Sequence, residues 1–391
     1  MIGLDSTDIL VIGGGPGGLL AALRASDKGK DVVVAEKRDI GGVCLNRGCI
    51  PSKSLSTAAD RAYNSANSED MGIEGNVEVD YEKLVSWSEG NTEKIVSGEE
   101  QTLKRAGVEV KEGEASFVSS NKAEINGEEI EFENAIIATG SRPLDLPNVN
   151  TDHEMVIDSD DFFELKSLPK ELVIIGAGYI GMEIGTICRK IGCEVTIIEM
   201  LDQPLEEFGK RIVKPVERKA KKIGLNIELN MEVKGVENED GELTVVAENE
   251  ESEEERFTAE KCLISIGREP TTDGLGLENT DVTTTEKKGF IETNEFLQTK
   301  EPGIYAIGDV IGGKMLAHKA YNNAVVAVGN IFGEKIKKSN IPEVVFTDPQ
   351  ISRVGDLSDE YNLGRASFRA VSGAHTKNKA EGTIQITVDE D

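Results

Sequence analysis

Two cysteines, Cys44 and Cys49, stand close together in GGVCLNRGCIPSK, residues 41 to 53. Neighbouring thiols can clamp a metal, staple a loop, or cycle between dithiol and disulfide. A zinc clamp wants a second pair of ligands. The chain has three histidines, His153, His318 and His375, none at ligand spacing, so no metal site is expected. A permanent staple belongs to oxidising compartments. The redox reading uses more of the residues. Cys49 is followed by Ile50 and Pro51, and proline suits the first turn of a helix. A helix N-terminus lowers a thiol pKa and favours thiolate. Lys53, one turn on, adds a positive charge.

Two glycine loops carry the second kind of chemistry. Gly13, Gly15 and Gly18 form GxGxxG, with Pro16 inside it, between the apolar run ILVIG and the helical pattern LLAALRASDKG. The first glycine permits a tight turn, the second lets backbone approach a pyrophosphate, and the third lets helix and strand pack closely. The helix start then faces the phosphates with unsatisfied N–H groups. Glu36, 23 residues after Gly13, ends the next strand, where a carboxylate can accept hydrogen bonds from ribose hydroxyls. Gly176, Gly178 and Gly181 repeat the pattern, with Glu199 again 23 residues after the first glycine. An acidic residue there repels a 2′-phosphate and favours NAD over NADP. Two separate sites imply two different dinucleotides, and a flavin with a nicotinamide makes an electron relay.

These residues need elements to hold them. Strand, glycine loop, helix and strand succeed one another twice, from Ile9 and from Leu172, an internal repeat at domain scale. Between the copies lie a helical region from Lys53 to Ala106, a strand-rich stretch, and AIIATGSRP. KCLISIGREP and GIYAIGDV are further buried strands ending in glycine turns. The acidic stretch from 237 to 256 reads as a solvated β-meander, and the last region, from Ile341, shows strand patterns in VVF and TIQITV before ending at VDED. A length of 391 residues suits two or three domains. The net charge of −29, from 72 acidic and 43 basic residues, argues against nucleic acid and anionic membranes as partners. It suits a salt-rich cytoplasm or an ordinary acidic cytosolic protein. No apolar run approaches the roughly 20 residues of a membrane span, and no secretory signal is visible, so a soluble cytoplasmic protein is expected.

GGVCLNRGCIPSK resembles the redox-active segment of the FAD-dependent pyridine nucleotide-disulfide oxidoreductases, and Cys-Leu-Asn-x-Gly-Cys-Ile-Pro-Ser-Lys most resembles their dihydrolipoamide dehydrogenase branch. ATGSRP, GAGYIGMEIG, IGREP, YAIGDV, MLAHKA and VFTDPQISRVG follow in the family's order, over essentially the whole chain. The resemblance implies an α/β fold with two Rossmann-like dinucleotide-binding domains and a partial α+β C-terminal dimerisation domain. It places an FAD domain at 1–150 and 270–340, an NAD domain at 151–269, and the start of an interface domain at 341–391. It implies that Cys44 exchanges with a dithiol substrate, while Cys49 faces the flavin as the charge-transfer thiolate. Lys53 would lie by the flavin ring, paired with Glu183. Glu36 would hold the FAD ribose, Asp309 the ribityl chain, and Met315, Leu316, Ala317 and His318 would run along the ring, His318 as a packing residue. Gly113, Thr139, Gly140 and Ser141 would be backbone-type FAD contacts. On the NAD side stand Tyr179, Ile180, Glu183 and Glu199, with Val233 and Gly267 lining the site; Arg268 is a further cofactor contact. Cys188 and Cys193 are expected to pack as small apolar residues.

The chain departs from the family at its end. The family's base is a histidine in a His-Pro segment, backed by a glutamate and acting in the partner subunit's site. No His-Pro occurs here, and His375, in GAHTKNK, does not match. The expectation is a sequence cut short within the interface domain, homodimeric at full length, that binds FAD and as written oxidises dihydrolipoamide poorly. The implied reaction oxidises dihydrolipoamide, carried by the lipoyl domain of a 2-oxoacid dehydrogenase or glycine-cleavage system, and reduces NAD+ to NADH. A mercuric or glutathione-like reductase and a non-catalytic flavin-bound subunit remain as alternatives.

Overall fold

The computed structural model describes residues 5–75, 77–239, 242–355 and 362–388. The chain divides into two compact units. The first gathers Met1–Ser54, Ser86–Pro143 and Arg268–Ile341; the second gathers Leu55–Val85, Leu144–Gly267 and Pro342–Asp391.

The first unit begins with strand β1 (Asp5–Ile12), helix α1 (Pro16–Asp27), strand β2 (Val32–Glu36), the short helix α2 (Gly42–Asn46) and the head of helix α3 (Cys49–Ala66). Helix α4 (Tyr81–Ala106) and strands β3 (Glu109–Glu112), β4 (Ala115–Ser119), β5 (Lys122–Ile125) and β6 (Glu128–Ile137) follow. The sheet runs β3-β2-β1-β6-β5-β4, and the late strand Ile304–Ala306 pairs in parallel with the end of β6. β1 lies parallel between β2 and β6, Val11 opposite both Val34 and Ile136. This explains the unbroken apolar run of β1. Ile9 and Val11 pack with Leu19 and Ala22 of α1 and with Ala324 and Val328 of the helix Ala317–Ile331. Leu10 and Ile12 pack on the opposite side with Phe117, Ile125 and Phe132. A strand covered on both faces has no polar alternation, and each such side chain contributes about 1.5–3 kcal/mol of burial.

The second unit repeats the device. Strands Glu171–Ile175, Glu194–Ile198 and Lys261–Ile264 form a parallel sheet with Asn226–Glu228 and Val156–Ile157 at its edges. Leu172 and Ile174 pack with Met182 and Ile187 of the helix Tyr179–Lys190, whereas Val173 and Ile175 pack with Leu243, Val245 and Ala247. Those last three lie on a three-stranded antiparallel meander, Glu232–Glu239, Glu242–Glu248 and Glu254–Ala259. The acidic stretch is therefore a meander with one buried face, as the pattern around LTVV predicts; residues 240–241 lie outside the described residues. VVF falls at the strand Glu343–Val345, and TIQITV is the strand Thr383–Val388, paired with Asn362–Ser367. The terminal 389–391 lies outside the described residues.

The helical region between Lys53 and Ala106 is two helices rather than one. α3 stops at Ala66, and Gly72 takes a left-handed conformation at φ +75°. The second helix restarts after Asp80, whose Oδ1 accepts from Lys83 N at 3.1 Å. Gly72 closes the intervening 3-10 turn Glu69–Met71, and the capping Asp80 restarts the helix.

Candidate active site

Cys44 lies in α2 and Cys49 is the first residue of α3. The glycines ahead of them seat this segment on the first glycine loop. Gly41 N donates to Gly14 O at 2.8 Å. Gly42 has φ +55°, and a Cβ there would come 2.9 Å from the Gly15 Cα. Asn46 Nδ2 donates to Ile40 O and Gly42 O at 3.0 and 2.9 Å, and buried Arg47 pairs with Asp39 at 2.9 Å. Both cysteines are thiols, each partly exposed. The Cys44 thiol is hydrogen-bonded to Cys49. That bond, burial and the charge on Cys49 push its pKa well up, while the Lys53 charge pulls the other way. Cys49 stands at the N-terminal, positive end of α3, a position that favours a thiolate. Tyr321, on the helix Ala317–Ile331, also feels both thiols: burial first, then Cys44, raises its pKa. Sequence reasoning missed this phenol.

Each glycine loop has the geometry its pattern demands. Gly13 and Gly176 have φ +107° and +101°, and a Cβ would meet Ala138 O at 2.4 Å or Ser265 O at 2.7 Å. A Cβ on Gly18 or Gly181 would come 1.9 or 2.1 Å from the carbonyl oxygen of Gly13 or Gly176. The second glycines differ. Gly15 and Gly178 cap their helices at φ −74° and −70°, which any residue adopts. Among the described residues no atom beyond the chain neighbours lies within 4 Å of a Cβ built on either. The space each leaves open, at a helix N-terminus, fits a pyrophosphate. Glu36 Oε2 accepts from Gly14 N at 2.6 Å, and Glu199 Oε2 accepts from Ala177 N at 2.7 Å. Each acid thus stands beside its loop, Pro16 opening the first helix and Tyr179 and Ile180 the second.

Other expected residues gather around these loops. In the first unit, a cleft of about 700 Å³ is bordered by Glu36, Asp39, Asn46, Glu100 and Glu112. Gly113, at φ +148°, donates from its N–H to Glu36 O at 2.8 Å. Thr139 Oγ1 donates to Thr271 O at 2.7 Å, and Gly140 is left-handed at φ +72°. Ser141–Pro143 pairs antiparallel with Arg268–Pro270, so Arg268 belongs with the first unit. Its Nε donates to Ser141 Oγ at 2.8 Å, and Ser141 Oγ donates to Asp309 Oδ2 at 2.8 Å. Met315 and Leu316 lead into the helix Ala317–Ile331, where Leu316 is the N-cap and Ala317 and His318 are the first turn.

In the second unit, Glu183 is buried on its helix and accepts from Phe346 N at 3.0 Å. Val233 lies at a β-bulge, and Gly267, at φ +133°, accepts from Leu144 N at 3.1 Å. Cys188, Cys193 and Cys262 are fully buried, the first two in one core cluster, as expected of small apolar residues. Burial pushes the Cys193 and Cys262 thiols up to about 12, so both are poor nucleophiles. The fold also gathers His153, Asp158 and Asp161, which no spacing announced. Here His153 Nδ1 sits 2.9 Å from Asp161 Oδ2, on the capping box of a one-turn helix.

No helix among the described residues is long and apolar enough to cross a membrane. A profile described as pyridine nucleotide-disulphide oxidoreductase matches residues 7–324. The dihydrolipoyl dehydrogenase of Halobacterium salinarum is 37% identical, the match covering 98% of this chain and 84% of that protein. That of Bacillus subtilis is 44% identical, covering 89% and 75%. Among solved structures, the HOCl-induced flavoprotein disulfide reductase RclA of Escherichia coli superposes with a TM-score of 0.85 at 25% identity, over 98% of this chain and 86% of that one. With its residues 7–324 matched and 98% and 89% of its length aligned to these two relatives, the chain belongs to the pyridine nucleotide-disulphide oxidoreductase family, whose members use FAD and NAD(H).

Proposed function

We propose that this protein is a dihydrolipoyl dehydrogenase, oxidising dihydrolipoamide to lipoamide and reducing NAD+ to NADH. The observation that carries the reading is the hydrogen-bonded Cys44–Cys49 pair at the head of α3, fastened by Gly41 N to the first glycine loop. On this reading the first unit takes FAD, with Gly13, Gly15 and Gly18 at the pyrophosphate, Glu36 at the ribose and Asp309 at the ribityl chain. The second takes NAD, with Gly176, Gly178, Gly181 and Glu199 in the corresponding places. Residues from Pro342 on begin an interface domain of a homodimer. The dihydrolipoyl group arrives on the lipoyl-carrying domain of a 2-oxoacid dehydrogenase or glycine-cleavage system, in the cytoplasm.

The oxidised pair is a Cys44–Cys49 disulfide. A substrate thiolate attacks Cys44 Sγ, a mixed disulfide forms, the Cys44–Cys49 bond breaks, and Cys49 leaves as thiolate. Stabilising that leaving group is the task of the α3 N-terminus and Lys53. The second substrate thiol then attacks the lipoyl sulfur of the mixed disulfide, the bond to Cys44 Sγ breaks, and Cys44 leaves with the proton that this thiol gives up, releasing cyclic lipoamide. Two electrons now reside on the cysteine pair. Bound FAD supplies the route by which they pass on as hydride to NAD+.

The test is a substrate panel on purified holoenzyme: lipoamide, glutathione disulfide and Hg2+, each with NADH or NADPH. The reading predicts lipoamide reduction with NADH as the preferred pair. Turnover of glutathione or mercury alone would move the protein to another branch, and bound FAD without turnover of any of them, even in a full-length dimer, would make it a non-catalytic subunit.

A further inference from the structure

The helix Ala317–Ile331 carries two buried polar side chains one turn apart, Lys319 and Asn323, 8% and 3% exposed. A buried amine or amide needs a partner that offsets its lost hydration. Lys319 Nζ donates to Gly312 O, and Asn323 Oδ1 accepts from Gly308 N at 3.2 Å. Gly308 is the first residue of the 3-10 turn Gly308–Ile311, and Gly312 is its C-cap. One helix face therefore grips the turn at both ends. Both end residues are glycines at positive φ, 76° and 69°, without side chains to set the turn's shape.

Asp309 sits inside the grip. Its Oδ2 accepts from Ser141 Oγ at 2.8 Å, so its carboxylate is aimed from the other side by Ser141 and Arg268. The Lys319 amine also senses Asp309: burial lowers its pKa to about 8, while the Asp309 charge opposes the fall.

We propose that Lys319 and Asn323 are positioning residues that hold Asp309 where a flavin ribityl chain binds, so that this helix grip sets FAD affinity. The proposal rests on reading Asp309 as the flavin contact. The full chain is stripped of flavin and titrated with FAD, following the quenching of flavin fluorescence. Lys319→Met is expected to raise the FAD dissociation constant at least about tenfold, the scale of one charge-assisted hydrogen bond, and Lys319→Arg to recover most of the loss. Asn323→Ala should weaken FAD in the same way, and Asp309→Ala at least as much. In the Asp309→Ala background, Lys319→Met should add almost nothing, because the grip then has no carboxylate to place. NADH affinity should stay unchanged throughout. If Lys319→Met fails to fold, Asn323→Ala decides alone. Unchanged FAD affinity in the grip variants, with Asp309→Ala impaired, overturns the grip, as does full additivity of the double variant. Unchanged affinity in Asp309→Ala overturns the assignment of Asp309 and the proposal with it.

Discussion

Gly178→Ala separates binding from folding. The backbone at Gly178 is at φ −70° and ψ −175°, ordinary for alanine, and among the described residues no atom stands within 4 Å of the new methyl. A Gly→Ala change at a compatible position stabilises by about 0.4–1 kcal/mol through the unfolded chain. The variant should therefore melt at or slightly above the wild-type temperature. Its methyl group nevertheless fills the space assigned to the NAD pyrophosphate. Losing one charge-assisted hydrogen bond there costs about 1.5–3 kcal/mol, roughly a tenfold to hundredfold loss of NADH affinity. Gly181→Ala is the counterpart. Its methyl would stand 2.1 Å from Gly176 O and 2.7 Å from Ser265 Oγ, and the first of these is backbone that cannot rotate away. Overpacking of this kind costs about 3 kcal/mol, a fall in melting temperature of roughly 6–12 °C. Calorimetric melting and NADH titration of both variants decide the matter. Wild-type NADH affinity in Gly178→Ala would refute the pyrophosphate assignment; a melting loss equal to that of Gly181→Ala would refute the open space.

Four further outcomes follow, three from the geometry and one from the net charge. Cys49→Ser should abolish the long-wavelength charge-transfer absorbance of the reduced holoenzyme, while Cys44→Ser keeps a thiolate–flavin band; an intact band in Cys49→Ser would reverse the roles of the two sulfurs. Lys190, its side chain 2% exposed, is held by Asp60 Oδ1 at 2.6 Å and Asp348 Oδ2 at 2.7 Å. Lys190→Met should cost about 3 kcal/mol in urea unfolding, the low end for a broken buried pair because Asp60 reaches solvent; a loss under about 1 kcal/mol would show the cluster to be dispensable. Burial raises the Asp348 carboxyl, but the bond and charge of Lys190 outweigh it and hold its pKa below the usual value. Its contribution to stability is thus full above the unfolded value of about 3.9 and lost as pH falls through the lower folded value; Asp348→Asn should flatten that acid limb of a melting-temperature profile. A net charge of −29 predicts that the melting temperature rises as KCl increases from low ionic strength, since screening relieves self-repulsion; a steady fall would show that attractive pairs dominate.

The features legible in the sequence are those whose partners lie nearby along it. Gly13 and Gly18 meet within one strand-turn-helix, where a Cβ on Gly18 would strike Gly13 O. Glu36 and Glu199 fold back onto their own loops, to Gly14 N and Ala177 N. The break between α3 and α4 is carried by local signals too, Asn67, Ser68, Gly72, Gly75 and Asn76 ahead of the capping Asp80, within the region read as helical. Lys319 and Asn323 left a trace, two polar residues one turn apart on an apolar helix face, but nothing local says what they hold.

Sequence alone determined two dinucleotide loops, their acidic partners and a thiol pair at a helix start. Spacing of a few residues dictates turns, caps and strand ends directly. Only the tertiary structure decided that Ser141, Arg268 and Asp309 form one hydrogen-bonded chain, although Ser141 lies 127 and 168 residues from its two partners. It likewise decided that Lys190 finds carboxylates 130 and 158 residues away. Contacts of such separation leave no period in the chain. They arise where buried polar groups, brought together by the packing of the apolar faces, must find partners.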